Sequence, residues 1–308
     1  MLFPPFQTVL NMDVSEFTPY VFQVLAQLLE FRPQGLGDAY KALFPPLLSP
    51  SIWSREGNVP ALTRLMRAYL EKPPADFVAE YLQGMLGIFQ KLVASSKNEV
   101  NGLDLLNSVT LYMPPASMNV LYPTIYEVLL TRLQAKRTPR FKRCITNYFC
   151  LWAGKFGGQA WVSVLDSMQA GLGMNLIVNV WLKRYETDMP TNRMEIKVTL
   201  VGLCRLMPCI STDAMAVAAC TTVLVKLLSG DGAVGAPAQD DEPPIELEVS
   251  SDSTFNTLQF ARRAVFDPFA DITDVQGMVV QALRALPALP PLSDKKDQAK
   301  LQALLQSG

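Results

Sequence analysis

Nucleophilic, acid–base and metal chemistry each need particular side chains at particular spacings, and this sequence supplies few of them. It holds five cysteines (Cys144, Cys150, Cys204, Cys209 and Cys220) and no histidine. Without imidazole there is no Ser-His-Asp triad, no Cys-His dyad and no His-ligated zinc within these residues. No two cysteines form a CxxC pair, and all five lie in apolar helical surroundings, so they read as core thiols. An odd count, beside a start (MLFPPFQTVL) with no basic n-region, agrees with a reducing compartment. Asp166, Glu186 and Asp188 lack the histidine or pocket-building strand that would make an acid–base pair of any two of them. The GKFGG stretch at 154–158 is not a phosphate loop, because it lacks the GxxxxGK[ST] spacing and a preceding strand. Neither catalytic, cofactor-binding nor metal-ligating residues are expected, and no cofactor.

Binding chemistry is better represented. Residues 229–253 (SGDGAVGAPAQDDEPPIELEVSSDS) carry seven acidic side chains and no basic one. Asp240, Asp241, Glu242, Glu246 and Glu248 interleave with Pro243, Pro244, Ile245, Leu247 and Val249, a pattern that could steer a basic partner and order against it. The plain alternative is a solvated linker. Lys136, Arg137, Arg140, Lys142 and Arg143 crowd around Pro139, with Phe141 among them. A net charge of −1, a pI near 5.7 and the lack of serial stacking aromatics argue against nucleic acid and for an exposed turn. Further cations, Arg132, Lys183, Arg184 and Lys226, fall on second helices of helix pairs. There they could meet an acidic partner surface or simply be solvated.

The elements that must position these groups are helices. In residues 13–30, Val14, Phe17, Val21, Val24 and Leu28 make one apolar stripe, and Phe22, Leu25 and Leu29 make a second. Together they form an arc that must be covered on both flanks. Asp13 and Glu16 have capping-box spacing, and Pro19, beyond the first turn of a helix begun at Asp13, should bend it. Residues 2–12 read as the last turns of a helix whose partner is missing. Helices follow at 38–48, shortened by Pro45 and Pro46, and at 59–71, capped by Asn58. Others span 76–95, 100–113, 116–135 and 139–156. A long helical region at 159–185 is bent near Gly171 and Gly173. The last helices lie at 193–207, 213–228, 254–265, 273–286 and 294–305, and Pro208 falls in a turn. The most apolar runs, 174–182 and 214–228, are shorter than the roughly 20 residues that span a bilayer.

First helices recur near residues 13, 58, 100, 139 and 193, roughly the 40–47-residue period of HEAT or armadillo-type repeats. No strand signal interrupts them. The expected fold is all-α, a right-handed solenoid of about six HEAT-like helix pairs with one acidic loop insertion. Residues 1–228 would form the solenoid, 229–253 a disordered acidic loop, and 254–308 the closing helices of the same solenoid.

Several stretches carry a resemblance. FQTVLNMDVSEFTPYVFQVLAQLLE (6–30), GNVPALTRLMRAYLE (57–71), GMLGIFQKLVASS (84–96) and LLNSVTLYMPP (105–115) resemble the C-terminal region of the cellular-apoptosis-susceptibility exportins. KVTLVGLCRLMP (197–208), and the acidic loop followed by TLQFA (257–261), echo the same family more weakly. These exportins are HEAT-repeat members of the importin-beta family. The resemblance implies a non-enzymatic segment of a receptor that binds importin-alpha together with Ran-GTP and shuttles between nucleus and cytoplasm. It implies neither nucleic-acid binding nor membrane insertion. The family's N-terminal Ran-binding repeats have no counterpart here, and a free-standing HEAT scaffold without Ran dependence is the alternative. Asp240, Asp241, Glu242, Glu246, Glu248, Lys183 and Arg184 are the expected partner contacts.

Overall fold

A computed structural model of the chain describes residues 3–12, 14–72, 75–229, 258 and 266–307. Among the described residues there are helices and no strand, as the periodicity predicts, and no helix is long and apolar enough to cross a membrane. The chain falls into two compact units, residues 1–136 with 245–264 and residues 137–244 with 265–308. The loop residues Asp240, Asp241, Glu242, Glu246 and Glu248, and the helix expected at 254–265, lie outside the described residues apart from Leu258.

The first unit contains α1 (Phe3–Asn11), α2 (Thr18–Glu30), α3 (Asp38–Leu47), α4 (Val59–Leu70), α5 (Ala75–Ala79), α6 (Leu82–Ala94), α7 (Glu99–Tyr112), α8 (Pro115–Asn119) and α9 (Tyr122–Ala135). Helices α2, α4 and α7 pack in one row, α6 and α9 in a second, and α6 ties the rows together by packing on α7. The row helices start at residues 18, 59 and 99, a repeat of about 40 residues. Helix α2 buries Val21, Phe22, Leu25, Ala26 and Leu29, and α4 buries Leu62, Leu65, Met66 and Tyr69. A two-toothed pair, Arg64 Nε and Nη2 donating to Glu30 at 2.9 and 2.7 Å, fixes their register. Arg132 of α9 is buried. It donates to Val93 O at 3.0 Å and Lys136 O at 2.6 Å, and pairs with the buried Glu99 at the head of α7. It therefore faces inward, not toward a partner.

The second unit contains α10 (Pro139–Phe156), α11 (Gly158–Met168), α12 (Leu172–Leu176) running into a π-helical turn (Ile177–Leu182), α13 (Arg193–Ile210), α14 (Ala214–Ser229), α15 (Val275–Arg284) and α16 (Lys295–Ser307). Helices α10, α13 and α15 form one row, while α14 packs on the π turn and α16 in the other. Helix α13 packs closely on α10 and α11. A Cβ on Gly202 of α13 would lie 2.5 Å from Cys150 Cα on α10, and one on Gly158 would lie 2.5 Å from Arg205 O. Below, Trp161, Trp181 and Phe149 pack edge-on with centroids 4.9–5.6 Å apart.

Several expectations are corrected. Helix α2 starts at Thr18, not Asp13, so Pro19 sits in its first turn, where a missing N–H costs nothing and no bend follows. Asp13 is outside the described residues, so its cap is not seen. Asn58 offers no cap and instead donates Nδ2 to Ile52 O at 3.1 Å. Pro45, Pro46 and Pro208 lie inside the last turns of α3 and α13, which run through them. The helices expected at 76–95 and 116–135 are each split in two, at Glu80–Tyr81 and Val120–Leu121. Pro123, at the second position of α9, has no N–H to donate back to α8, which accounts for the second break.

Arg184, just past the π turn, organises the second unit. Its guanidinium donates to Glu195 Oε1 at 2.6 Å, Thr146 Oγ1 and Asn147 Oδ1 at 2.9 Å, and Asp188 Oδ2 at 3.2 Å. Arg143 of α10 grips the other oxygen of Glu195 at 2.5 Å. Three segments are thus tied at one carboxylate. Burial alone would raise the Glu195 pKa. The hydrogen bond from Arg143 and the charge of Arg184 outweigh it and hold the carboxyl below its ordinary value of 4.5.

Gly202→Ala forces the α10 backbone to move and lowers the urea unfolding midpoint, a loss of about 1–3 kcal/mol. Gly87→Ala, with open space around its Cβ, raises the midpoint by about 0.5–1 kcal/mol. Because the folded Glu195 pKa is depressed, the unfolded chain binds this proton more readily. The stability it confers is complete above pH 4.5 and is lost as pH falls through the folded value. Glu195→Gln destabilises the chain at pH 7 by about 3–5 kcal/mol by stranding buried Arg184, and unfolding midpoints of the variant depend less on pH below 4.5 than those of the parent.

Candidate partner-binding surface

The buried thiols are held in their protonated form. Burial pushes the Cys150 thiol up to about 11 and Cys204 to about 12, and raises Cys220 well above its ordinary value. Cys150 Sγ lies 3.4 Å from Tyr185 Oη in the interior. None of the five cysteines forms a disulfide, and Cys144 and Cys209 are half-buried. Asp166 accepts from Gly173 N at 2.9 Å and closes the α11–α12 turn, Asp188 serves the Arg184 cluster, and Glu186 is exposed. These three carboxylates do not converge. Among the described residues no group of three or more His, Cys, Asp or Glu could hold a metal. The GKFGG stretch is a helix end: Gly154 packs against Phe269, and Gly157, at φ +95°, terminates α10.

The charged candidates divide by burial. Lys183 is exposed at the end of the π-turn helix, while its neighbour Arg184 is buried and turned into the cluster described above. A π turn is one residue wider than an α turn, and nothing in the sequence marks it, since neither glycine nor proline lies within Ile177–Leu182. Lys226 is half-exposed, 3.7 Å from Asp297. Around Pro139, Lys136 and Arg137 are exposed, Arg140 and Lys142 are half-buried, and Arg143 is committed to Glu195. Phe141 is fully buried and has no face to stack on a base. Thr138 Oγ1 caps α10 by accepting from Phe141 N at 3.0 Å, so the basic turn ends in a fixed helix start.

Sequence reasoning passed over Glu195, which holds Arg184, and read Arg143, which grips the same carboxylate, as part of an exposed basic turn. A signal was present: Asn192, three residues before Glu195, has capping-box spacing, and its Oδ1 accepts from Met194 N at 2.9 Å and Glu195 N at 3.3 Å. The apolar arc of residues 13–30, expected to be covered on both flanks, leaves Phe17 and Leu28 exposed.

The arrangement is a frame of locked helix ends that displays isolated charges and apolar side chains, suited to protein recognition. Comparison with known proteins agrees. The family described as CAS/CSE protein, C-terminus, matches residues 1–297. Exportin-2 of Pagrus major is 35% identical over 280 residues, 88% of this chain and 28% of that protein. Human exportin-2 is 33% identical over 286 residues, 89% of this chain and 29% of its own length. Exportin-2 of Danio rerio is 32% identical over 301 residues, 94% of this chain and 31% of that one. A solved structure described as the exportin Cse1 in its cargo-free, cytoplasmic state matches with a TM-score of 0.77 at 27% identity, over 98% of this chain and 32% of that chain. The chain spans about three tenths of the length of these relatives. With a C-terminal family match covering all but its last residues, the chain belongs to the CAS/CSE family.

Proposed function

We propose that the chain works as the C-terminal part of a nuclear export receptor that binds importin-alpha together with Ran-GTP and shuttles between nucleus and cytoplasm. The observation that carries this reading is the likeness to the exportin Cse1 along 98% of the chain. The chemistry is consistent with it. Export of this kind needs a binding surface whose affinity changes with its partners, and GTP hydrolysis belongs to Ran, so the chain itself acts as no enzyme. Neither nucleic acid nor a membrane takes part. In this reading Asp240, Asp241, Glu242, Glu246 and Glu248 steer basic partner surfaces and Lys183 meets an acidic one. Arg184 contributes by fixing the helix end that carries Lys183.

The alternative reading is a free-standing HEAT-repeat protein-interaction scaffold without Ran dependence. The two part in one experiment: capture of the chain on immobilised importin-alpha with and without GTP-loaded Ran. The export reading expects capture that rises with Ran-GTP, and the scaffold reading expects no Ran dependence. Replacing Asp240, Asp241 and Glu242 by Ser leaves helicity intact and weakens capture by roughly three- to tenfold at low salt, the gap closing at high salt as screening removes steering. Equal capture at both salts would make the loop a linker.

A further inference from the structure

The turn that leads into α10 carries positive charge that its surroundings leave unanswered. Arg143 is spent on Glu195, but Arg137, Arg140 and Lys142 enter no ion pair among the described residues. Arg137 is exposed, and Arg140 and Lys142 are half-buried. Like charges held this close repel one another, and a turn that keeps them unpaired suits an anion. Among them stands Thr138. Pro139 disfavours helical backbone at the residue before it, and Thr138 is extended, at φ −70° and ψ 147°. Its side chain is half-buried, so it is within reach of solvent. Thr138 Oγ1 accepts from Phe141 N at 3.0 Å, and Lys142 N donates to Thr138 O at 3.0 Å. Lys142 thus stands one helical turn along from the threonine, while Arg137 and Arg140 bracket the Thr-Pro dipeptide in the chain.

A hydroxyl on extended backbone, followed by proline and flanked by cations, is the substrate pattern of a proline-directed protein kinase. The sequence holds two other such dipeptides, Thr18–Pro19 and Ser49–Pro50. Thr18 is 4% exposed and donates its hydroxyl to Val14 O at 2.8 Å. Ser49 is exposed, but no charged residue lies within four positions of it in the chain. Thr138 alone of the three has both access and cations beside it in the chain.

We propose that Thr138 is a phosphorylation site whose phosphate is held by Arg137, Arg140 and Lys142. In the reaction Thr138 Oγ1 attacks the γ-phosphorus of ATP on the kinase. The bond from that phosphorus to the bridging oxygen breaks, ADP leaves, and the hydroxyl proton passes to the kinase's base. The product carries about −1.5 to −2 charge at pH 7 and presents three acceptor oxygens. These accept charge-assisted hydrogen bonds from the two guanidinium groups and the ammonium group. The turn changes from strongly to weakly cationic and loses its pull on acidic surfaces. The proposal rests on the turn alone and stands whether or not the export reading holds.

The whole 308-residue chain, incubated with ATP and a proline-directed kinase, is mapped for phosphate by tandem mass spectrometry. A synthetic peptide of residues 132–145 is the positive control for the kinase. Thr138 is expected to be modified in the folded chain, ahead of Ser49 and Thr18. Thr138→Val removes this phosphate, Thr138→Ser keeps it, and Pro139→Ala slows its addition about tenfold by freeing the backbone of Thr138. In phosphorus NMR the phosphothreonine of the folded chain titrates about 0.5–1 pH unit below that of the urea-unfolded chain, because the cations favour its dianion. Arg137→Gln with Arg140→Gln removes most of this difference, and far-UV circular dichroism confirms that each variant is folded. A folded chain left unmodified at Thr138 by a kinase that modifies the peptide overturns the proposal. So does a phosphothreonine that titrates alike in the folded and unfolded chain, since the cations would then not hold it.

Discussion

Each unit is held by one buried arginine set against a glutamate in the first turn of a neighbouring helix. Arg132 meets Glu99, the first residue of α7, and Arg184 meets Glu195 in the first turn of α13. The placement is physical. The first turn of a helix presents unsatisfied N–H groups and the positive end of its dipole, so a carboxylate belongs there even before a cation arrives. A guanidinium is the cation that can follow it inside, because its fork of donors can be shared among several acceptors at once. Arg184 shares them among Glu195, Thr146, Asn147 and Asp188, and Arg132 among Glu99 and two backbone carbonyls. A buried ion pair often adds little stability over an apolar substitute. What it adds here is a unique arrangement: only one register of the helices brings all these acceptors to one side chain.

Close packing fills the interior of the second unit. The contact of Gly202 with the Cys150 backbone leaves no room for substrate at the junction of α10 and α13. The same burial that makes Cys150, Cys204 and Cys220 good filling material raises their thiol pKa values and leaves them poor nucleophiles. Function in such a frame is confined to what the helix ends and outer faces display. The Arg184 cluster matters because it fixes one such end and leaves Lys183 on a rigid support.

The sequence made the helix period legible and the burial of charge illegible. Helix α10 spans Pro139–Phe156 as its pattern predicts, because a threonine cap, a first-turn proline and a terminal glycine with positive φ agree on both ends. The proline rule failed where it was applied without knowing the helix start. Pro19 is harmless because α2 begins one residue earlier, and Pro208 is tolerated because α13 is nearly finished when it arrives. Arg132 and Arg184 look like ordinary surface cations, since long charged side chains are seldom buried. Their partners lie 33 and 11 positions away on other helices, a proximity only the fold creates. Lys183 and Arg184, adjacent and alike in sequence, end on opposite sides of the surface because a helix turns by 100° at each step.

Repeat packing also limits what any segment of such a row can be. Each helix pair buries one flank against its predecessor and offers the other to its successor, so stability accumulates between neighbours and not within a pair. A row therefore ends either in a polar flank or in an apolar one that awaits cover. In the second unit α16 (KKDQAKLQALLQS) carries four charges, and of its described residues Asp297 and Leu301 are buried. In the first unit α2 displays phenylalanine at both caps. The apolar exposure of the first unit is thus mostly gathered beside α2 and at its caps, at Met12, Phe17, Leu28 and Phe31.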